Sequence, residues 1–415
     1  MALKPDVLPK RAAVWVFVAL AAAYFLSTLL RAITATLSPI LTDEFGMQAR
    51  DLGLLAGAYF LGFSITQLPM GHWLDRHGPK QVVLSFLCVA VLGCFAFAWA
   101  HDFTGLLLAR VLIGVGVSAC LMAPLTGYRR WLILEQQQRA NSWMLMTGAL
   151  GMLTSTLPVQ WLLPMMGWRW MFVALALLVA MAMGVIFWKV PAWRLAETAP
   201  ATSDETASTS GILASYKQVW AHPYFRRLAP MGFFNYGGMI AMQTLWAGPW
   251  MVKVAGYTPL EAATGLFWLN VCMLLTFWVW GLVTPSLTVR GYNSNKLITY
   301  GVPLSLCVQV AIILGGQDAG AAHWVMFCVF SSFVSLAQPA VGLAFPSALA
   351  GRALSAYNLV LFLGVFVVQW GMGLMIDGFK AMSWTEPQAF QGAMAVFLVC
   401  CIMSYSYFLK HRPES

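Results

Sequence analysis

Runs of about 20 apolar residues recur along the whole chain, separated by short polar breaks, and that is the length a helix needs to cross a hydrocarbon core of ~30 Å. Twelve such runs can be counted, at about 14–38, 51–71, 81–100, 103–128, 141–164, 168–189, 226–251, 260–285, 296–315, 322–349, 353–376 and 388–409. Hydrophobic residues fill 60% of the 415 positions and charged residues 9%, which leaves a water-soluble globule too few charges to solvate its surface. Lipid-embedded strands would show a ten-residue alternation of apolar and polar positions, which is absent, whereas a helix satisfies its own backbone within each segment. The expected class is therefore an all-α membrane protein.

The first run follows Lys4, Lys10 and Arg11, as a secretory signal would. It is too long for a signal core and carries Arg31 and Pro39 before leading into the next run, so it reads as a permanent span. Twelve spans fix the side of every loop, and the 24 Lys and Arg residues divide unevenly between the sides. If the chain starts in the cytoplasm, eighteen fall on that side, four (Arg50, Arg169, Lys253, Lys380) fall outside, and Arg31 and Arg110 lie within spans. The positive-inside rule then predicts a multi-pass protein of the inner (plasma) membrane with both termini cytoplasmic. The net charge of +9 is spread over loops that flank the membrane and forms no basic face, which argues against nucleic acid as a partner. All eight cysteines fall within predicted spans, so no disulfide framework is expected.

The longest polar break, Pro191 to Pro223, has the composition of a flexible linker and divides the spans six and six. The expected organisation is an N-terminal half, residues 1–190, a cytoplasmic linker, 191–223, and a C-terminal half, 224–415. Within the linker, Ile212 to Trp220 mixes apolar residues with Tyr216 and Lys217 and is compatible with a surface helix. The loops leading into spans five and eleven match: Gln138-Arg139-Ala140-Asn141-Ser142 aligns with Gly351-Arg352-Ala353-Leu354-Ser355, and a glycine follows twelve residues after each arginine, at Gly151 and Gly364. That is where a duplicated six-span unit requires a likeness.

Between spans two and three the chain reads Gly71-His72-Trp73-Leu74-Asp75-Arg76-His77-Gly78-Pro79-Lys80. Gly71, Asp75, Arg76, Gly78 and Lys80 form a charged loop bounded by glycines, and Asp75 at a helix end can pair with basic groups or a helix N-terminus to hold one global state. Arg76 and Lys80 would also serve the positive-inside rule without any latch. The run closely resembles the signature loop of the major facilitator superfamily, Gly-x-x-x-Asp-Arg-x-Gly-x-Lys/Arg, and the six-plus-six layout covers essentially the whole chain. The equivalent loop of the second half, Gly281 to Lys296, keeps Arg290 and Gly291 but has no acidic partner. Arg110, Gly114, Gly116 and Pro124 in span four are similar to a pattern many members carry there. The Gly-Pro then Gly-Gly pattern of drug/proton antiporters is missing from span five, which has Gly148, Gly151 and Pro158.

The resemblance, to the bacterial organic-anion branches above all, implies twelve transmembrane helices in two six-helix pseudo-repeats. It also implies alternating access to a site near the membrane midplane lined by spans one, four, seven and ten. In span one, Tyr24, Ser27, Arg31, Thr34 and Ser38 step by three and four residues and so share a helix face. A cation in a span is costly unless paired or solvated, and no Asp or Glu lies in the middle of any predicted span. Arg31 is therefore a candidate anchor for a carboxylate, sulfonate or phosphate; the alternative is an arginine that snorkels or binds carbonyls. Arg110 has the same two readings. Asn235, Tyr236, Gln243 and Trp246 in span seven, Gln338 in span ten and Asn358 in span eleven complete the candidate substrate-binding set, each with an interhelical hydrogen bond as its alternative use.

The expected function is secondary active transport of a small organic, anionic solute, coupled to protons or to a counter-anion. Efflux of a drug or toxin is the main alternative, a non-transporting membrane sensor another, and transport of copper by some of the 23 methionines a weaker one. No cofactor, resident metal or enzymatic motif is expected.

Overall fold

The computed structural model describes residues 7–192 and 209–411. Lys4, Arg194, Arg412 and most of the polar part of the linker lie outside these residues. The helices are span 1 (Lys10–Phe45), span 2 (49–77), span 3 (79–98), span 4 (Phe103–Trp131), span 5 (134–166), span 6 (168–189), a linker helix (Thr209–Ala221), span 7 (223–253), span 8 (Pro259–Val289), span 9 (Ser294–Gly315), span 10 (Ala321–Leu343), span 11 (Ser347–Ala381) and span 12 (Glu386–Lys410). Most overrun the apolar runs from which they were inferred, because a helix continues into the interface for as long as its caps allow.

Nine of the twelve fall in helical stretches long and apolar enough to cross a membrane, among the described residues. Spans 2, 5 and 7 are the other three, and among the nine span 4 turns at Ser118 and span 10 includes the 3-10 stretch Ser332–Leu336. Span 2 steps at Thr66, span 5 at Ser155 and Thr156, and span 7 carries two π-helical stretches, Met231–Tyr236 and Met242–Trp246. Spans 2 and 3 reverse at Gly78 (φ 77°, ψ 163°) and spans 5 and 6 at Gly167 (φ 71°, ψ 162°), where a side chain would be strained. Gly291 takes the same hand after span 8 (φ 82°), so the glycine retained in the second half does the same backbone work as Gly78.

Short polar caps end the apolar runs. Asp102 accepts from the Gly105 N–H at 2.7 Å to start span 4, Asn293 accepts from Lys296 N–H at 2.9 Å to start span 9, and Thr258 with Glu261 forms a reciprocal box ahead of span 8. Large apolar side chains such as Trp170, Trp188, Leu92 and Met165 point outward, as lipid requires. Between spans, small residues let backbones meet. A Cβ on Gly114 would lie 2.0 Å from the Tyr59 carbonyl oxygen, and one on Gly116 2.2 Å from the Ala90 nitrogen.

The internal repeat foreseen from Arg139 and Arg352 is realised as one contact made twice. Gly151 of span 5 sits against the Phe25 carbonyl of span 1, and Gly364 of span 11 sits against the Phe233 carbonyl of span 7, with a hypothetical Cβ 2.3 Å away in both cases.

The halves meet mainly at the end of the bundle far from the linker. Span 2 packs along span 11, where Gly53 abuts the Gln369 carbonyl and Gly373 the Ala49 carbonyl. Span 1 packs on span 7 with Gly248 beside Ala35, and span 5 touches span 8. Where span 1 meets spans 7 and 8 in this far seam, the space lined by Ala35, Ser38, Gly248, Ala262 and Leu266 among others is only about 10 Å³, while an outer cleft of about 500 Å³ lies beside Gln48, Arg50 and Asp377. At the linker end, spans 4 and 10 form no comparable interface with each other. The linker helix packs against span 11: Val219 is fully buried, Arg352 donates to the Ser215 hydroxyl at 2.7 Å, and the Tyr216 hydroxyl donates across to the Leu68 carbonyl of span 2 at 3.1 Å. The helix foreseen in the linker is therefore present, with one face buried.

Candidate substrate site between the two halves

Arg31 lies midway along span 1, on the face turned toward the second half. It is partly exposed, whereas Ser27, Leu30 and Thr34 around it are buried. Its guanidinium stands over the rings of Phe63 of span 2 and Phe362 of span 11, 5.5 and 5.6 Å from their centroids and within cation–π range, and the two rings are 4.5 Å apart. Tyr24, Tyr59 and Tyr236 are its electrostatic neighbours. The Tyr59 hydroxyl donates to the Ser27 carbonyl at 3.2 Å. No carboxylate among the described residues lies within ion-pair distance of Arg31, and its buried Nε has no hydrogen-bond partner. Both halves contribute, since Tyr236 and Phe362 come from the second.

Of the predicted set, Tyr24, Arg31 and Tyr236 come together here. Ser27 borders them, its hydroxyl 3.5 Å from the Val117 carbonyl of span 4. Arg110 does not join them at the surface of the site. It is fully buried, donates to the Leu30 carbonyl at 3.0 Å and to the Thr34 hydroxyl, and is flanked by the rings of Tyr59 and Phe97. This geometry ties span 4 to span 1.

The remaining polar candidates are joined to neighbouring helices. Asn235 donates to Ser404 of span 12 at 2.6 Å, Gln243 to Asn270 of span 8 at 2.9 Å, and Gln338 of span 10 to Asn358 of span 11 at 2.7 Å. The Trp246 indole donates to the Gln369 carbonyl of span 11 at 3.1 Å, next to Gly53 in the far seam. In the signature loop Asp75 and Arg76 are exposed with no ion pair among the described residues, Gly71 is open, and Lys80 lies over the Phe187 ring at 5.1 Å.

Sequence reasoning misses Tyr59, Phe63 and Phe362, because an aromatic residue in a span reads as packing filler. The available signal is the four-residue spacing of Tyr59 and Phe63 in a span punctuated by Gly53, Gly57 and Gly62, which marks a closely packed, inward-facing helix.

Two pseudo-symmetric sets of six helices that pack on each other form the architecture of a multi-pass membrane carrier. The sequence pattern of the Major Facilitator Superfamily matches residues 20–369, and the chain belongs to that family of transporters. It is 24% identical over 299 residues to a hexuronate transporter of Escherichia coli K12, covering 68% of this chain and 67% of that protein. It is 26% identical over 145 residues to a probable L-galactonate transporter of the same organism, a stretch that spans 33% of this chain and only 30% of that relative. Among solved structures, a bacterial homologue of the human lysosomal transporter Spinster, in an inward-facing and unoccupied conformation, superposes with a TM-score of 0.77. It is 16% identical and covers 98% of this chain and 100% of its own, a likeness of fold.

Proposed function

We propose that this transporter moves a small organic anion by alternating access, with Arg31 as the charge anchor. The observation that carries the reading is the partly exposed Arg31 guanidinium between the halves, with no carboxylate beside it among the described residues. A cation at this depth is costly by at least ~2.5 kcal/mol, a cost that an anionic solute offsets each time it binds. The two relatives described above, whose names specify sugar acids, fit an anionic solute.

The described acidic residues support coupling without a dedicated midspan acid. Glu44 pairs with Arg169 and Trp168, Asp51, Asp102 and Glu261 cap helices, Asp377 binds the start of span 2, and Glu386 pairs with Lys380. That arrangement supports anion exchange, or symport in which the solute carries the proton. The linker end is read as cytoplasmic, so the closed far seam and the exposed Asp75 describe the state open to the cytoplasm. Residues 1–190 and 224–415 then act as the two rocking bodies about the 191–223 linker.

Reconstituted vesicles loaded with organic acids test the reading. Counterflow of an organic anion that is lost in Arg31→Gln and partly kept in Arg31→Lys is expected. Transport of neutral or cationic solutes only, or anion flux indifferent to Arg31→Gln, would reject it.

A further inference from the structure

The amide side chains that could serve a sugar acid donate mostly to one another, and the hydroxyls beside Arg31 are the phenols of Tyr24, Tyr59 and Tyr236. A polyhydroxylated acid brings several hydroxyls, and each one moved out of water without a partner costs about 1–3 kcal/mol. In the second half, Gln243 is joined to Asn270, Gln338 to Asn358, Asn235 to Ser404, and the Gln369 amide donates to the Thr244 hydroxyl at 3.0 Å. In the first, Thr34 receives Arg110, and the Ser38 hydroxyl turns back to the Ala35 carbonyl at 2.8 Å. The side chains grouped at Arg31 are all aromatic, three of them phenols (Tyr24, Tyr59, Tyr236) and two of them apolar rings (Phe63, Phe362).

Geometry narrows the ligand further. The Arg31 guanidinium stands over Phe63 and Phe362, and because the two rings are only 4.5 Å apart they lie to the same side of it, which leaves the N–H groups turned away from the rings to hold a carboxylate. Phe63 comes from the first half and Phe362 from the second, so a flat apolar body attached to that carboxylate would touch both halves at once.

Resting on the organic-anion reading above, we propose that the solute is a carboxylate carrying a planar or apolar body, of the aryl-carboxylate class, and that Phe63 and Phe362 select it over polyhydroxylated acids.

The test measures binding by thermal shift on the detergent-purified full chain and flux in vesicles, using benzoate, phenylacetate, acetate, D-galacturonate and D-galactonate. Benzoate or phenylacetate is expected to stabilise the protein at concentrations where the two sugar acids and acetate do not, and to lose the effect in Arg31→Gln. Phe362→Leu, which keeps bulk and lipid compatibility, is expected to weaken aryl-carboxylate affinity roughly tenfold, the scale of one or two aromatic contacts. Stronger Arg31-dependent binding of galacturonate or galactonate would overturn the aryl-carboxylate class and leave the anion reading standing. Aryl binding indifferent to both Phe362→Leu and Phe63→Leu would overturn the selecting role of the rings. A response to no anion in wild type, in protein whose melting transition is intact, would overturn this proposal together with the anion reading beneath it.

Discussion

The Asp377 carboxylate at the end of span 11 accepts the backbone N–H of Arg50 at 2.8 Å, and that of Ala49 at 3.2 Å, at the start of span 2. One half of the protein thus caps a helix of the other, using a charge where the exposed N–H groups and the helix dipole favour an anion. The bond can exist only while the far seam is closed. It stands at the end of the bundle opposite Asp75, which is exposed and has no ion pair among the described residues.

Removing that cap should release the seam. Hydrogen bonds to a charged acceptor are worth about 1.5–3 kcal/mol, so Asp377→Ala is expected to raise the population open at the far end roughly tenfold or more. The readout is the rate at which an impermeant thiol reagent modifies Ala262→Cys, a buried position lining the seam. An unchanged rate would show that the cap does not hold the state.

Gly373 and Gly371 lie two residues apart on span 11 and should behave oppositely. A Cβ at Gly373 would stand 2.3 Å from the Ala49 carbonyl oxygen, whereas one at Gly371 meets nothing within 4 Å. Gly373→Ala is expected to prevent full closure and to cut turnover by about tenfold or more with little change in solute affinity, since the site at Arg31 is distant from the seam. Gly371→Ala should transport normally. Equal activity in the two variants would exclude the seam as a moving contact.

Arg110 and Arg31 should separate stability from binding. Arg110→Gln removes a buried cation that holds Leu30 and Thr34, and is expected to cost about 1.5–3 kcal/mol, seen as a drop of several degrees in Tm, with solute affinity of the folded fraction preserved. Arg31→Gln is expected to leave Tm nearly unchanged and abolish binding. Loss of affinity without loss of Tm in Arg110→Gln would place Arg110 in the solute's path.

The two faces of the membrane can be assigned by labelling. With the linker end cytoplasmic, His77→Cys should react with an impermeant thiol reagent only in inverted vesicles, and Lys253→Cys only in right-side-out ones. The reverse pattern would invert the topology and with it the meaning of the open end.

The sequence by itself determined the class of protein, because the signals are local. Twenty-residue apolar runs must be helices in lipid, Gly71 to Lys80 carries its glycines and charges in one short loop, and Gly151 and Gly364 fall at matching distances from Arg139 and Arg352. Backbone approach at a glycine depends on the residue itself, so the duplicated contact on Phe25 and Phe233 could be anticipated from the repeat. That Arg31 is a cation within a span was also legible, since such a charge is costly wherever the helix turns.

Only the tertiary structure decided which polar residues are free. Asn235, Gln243, Gln338 and Asn358 look in sequence like cavity lining, yet each finds a partner on another helix, and that pairing depends on helix rotation and on residues up to 169 positions away. The same holds for the two arginines. Arg110 meets a carbonyl and a hydroxyl of span 1, while Arg31 meets Phe63 and Phe362, one ring from each half, and no local pattern in the chain distinguishes those fates.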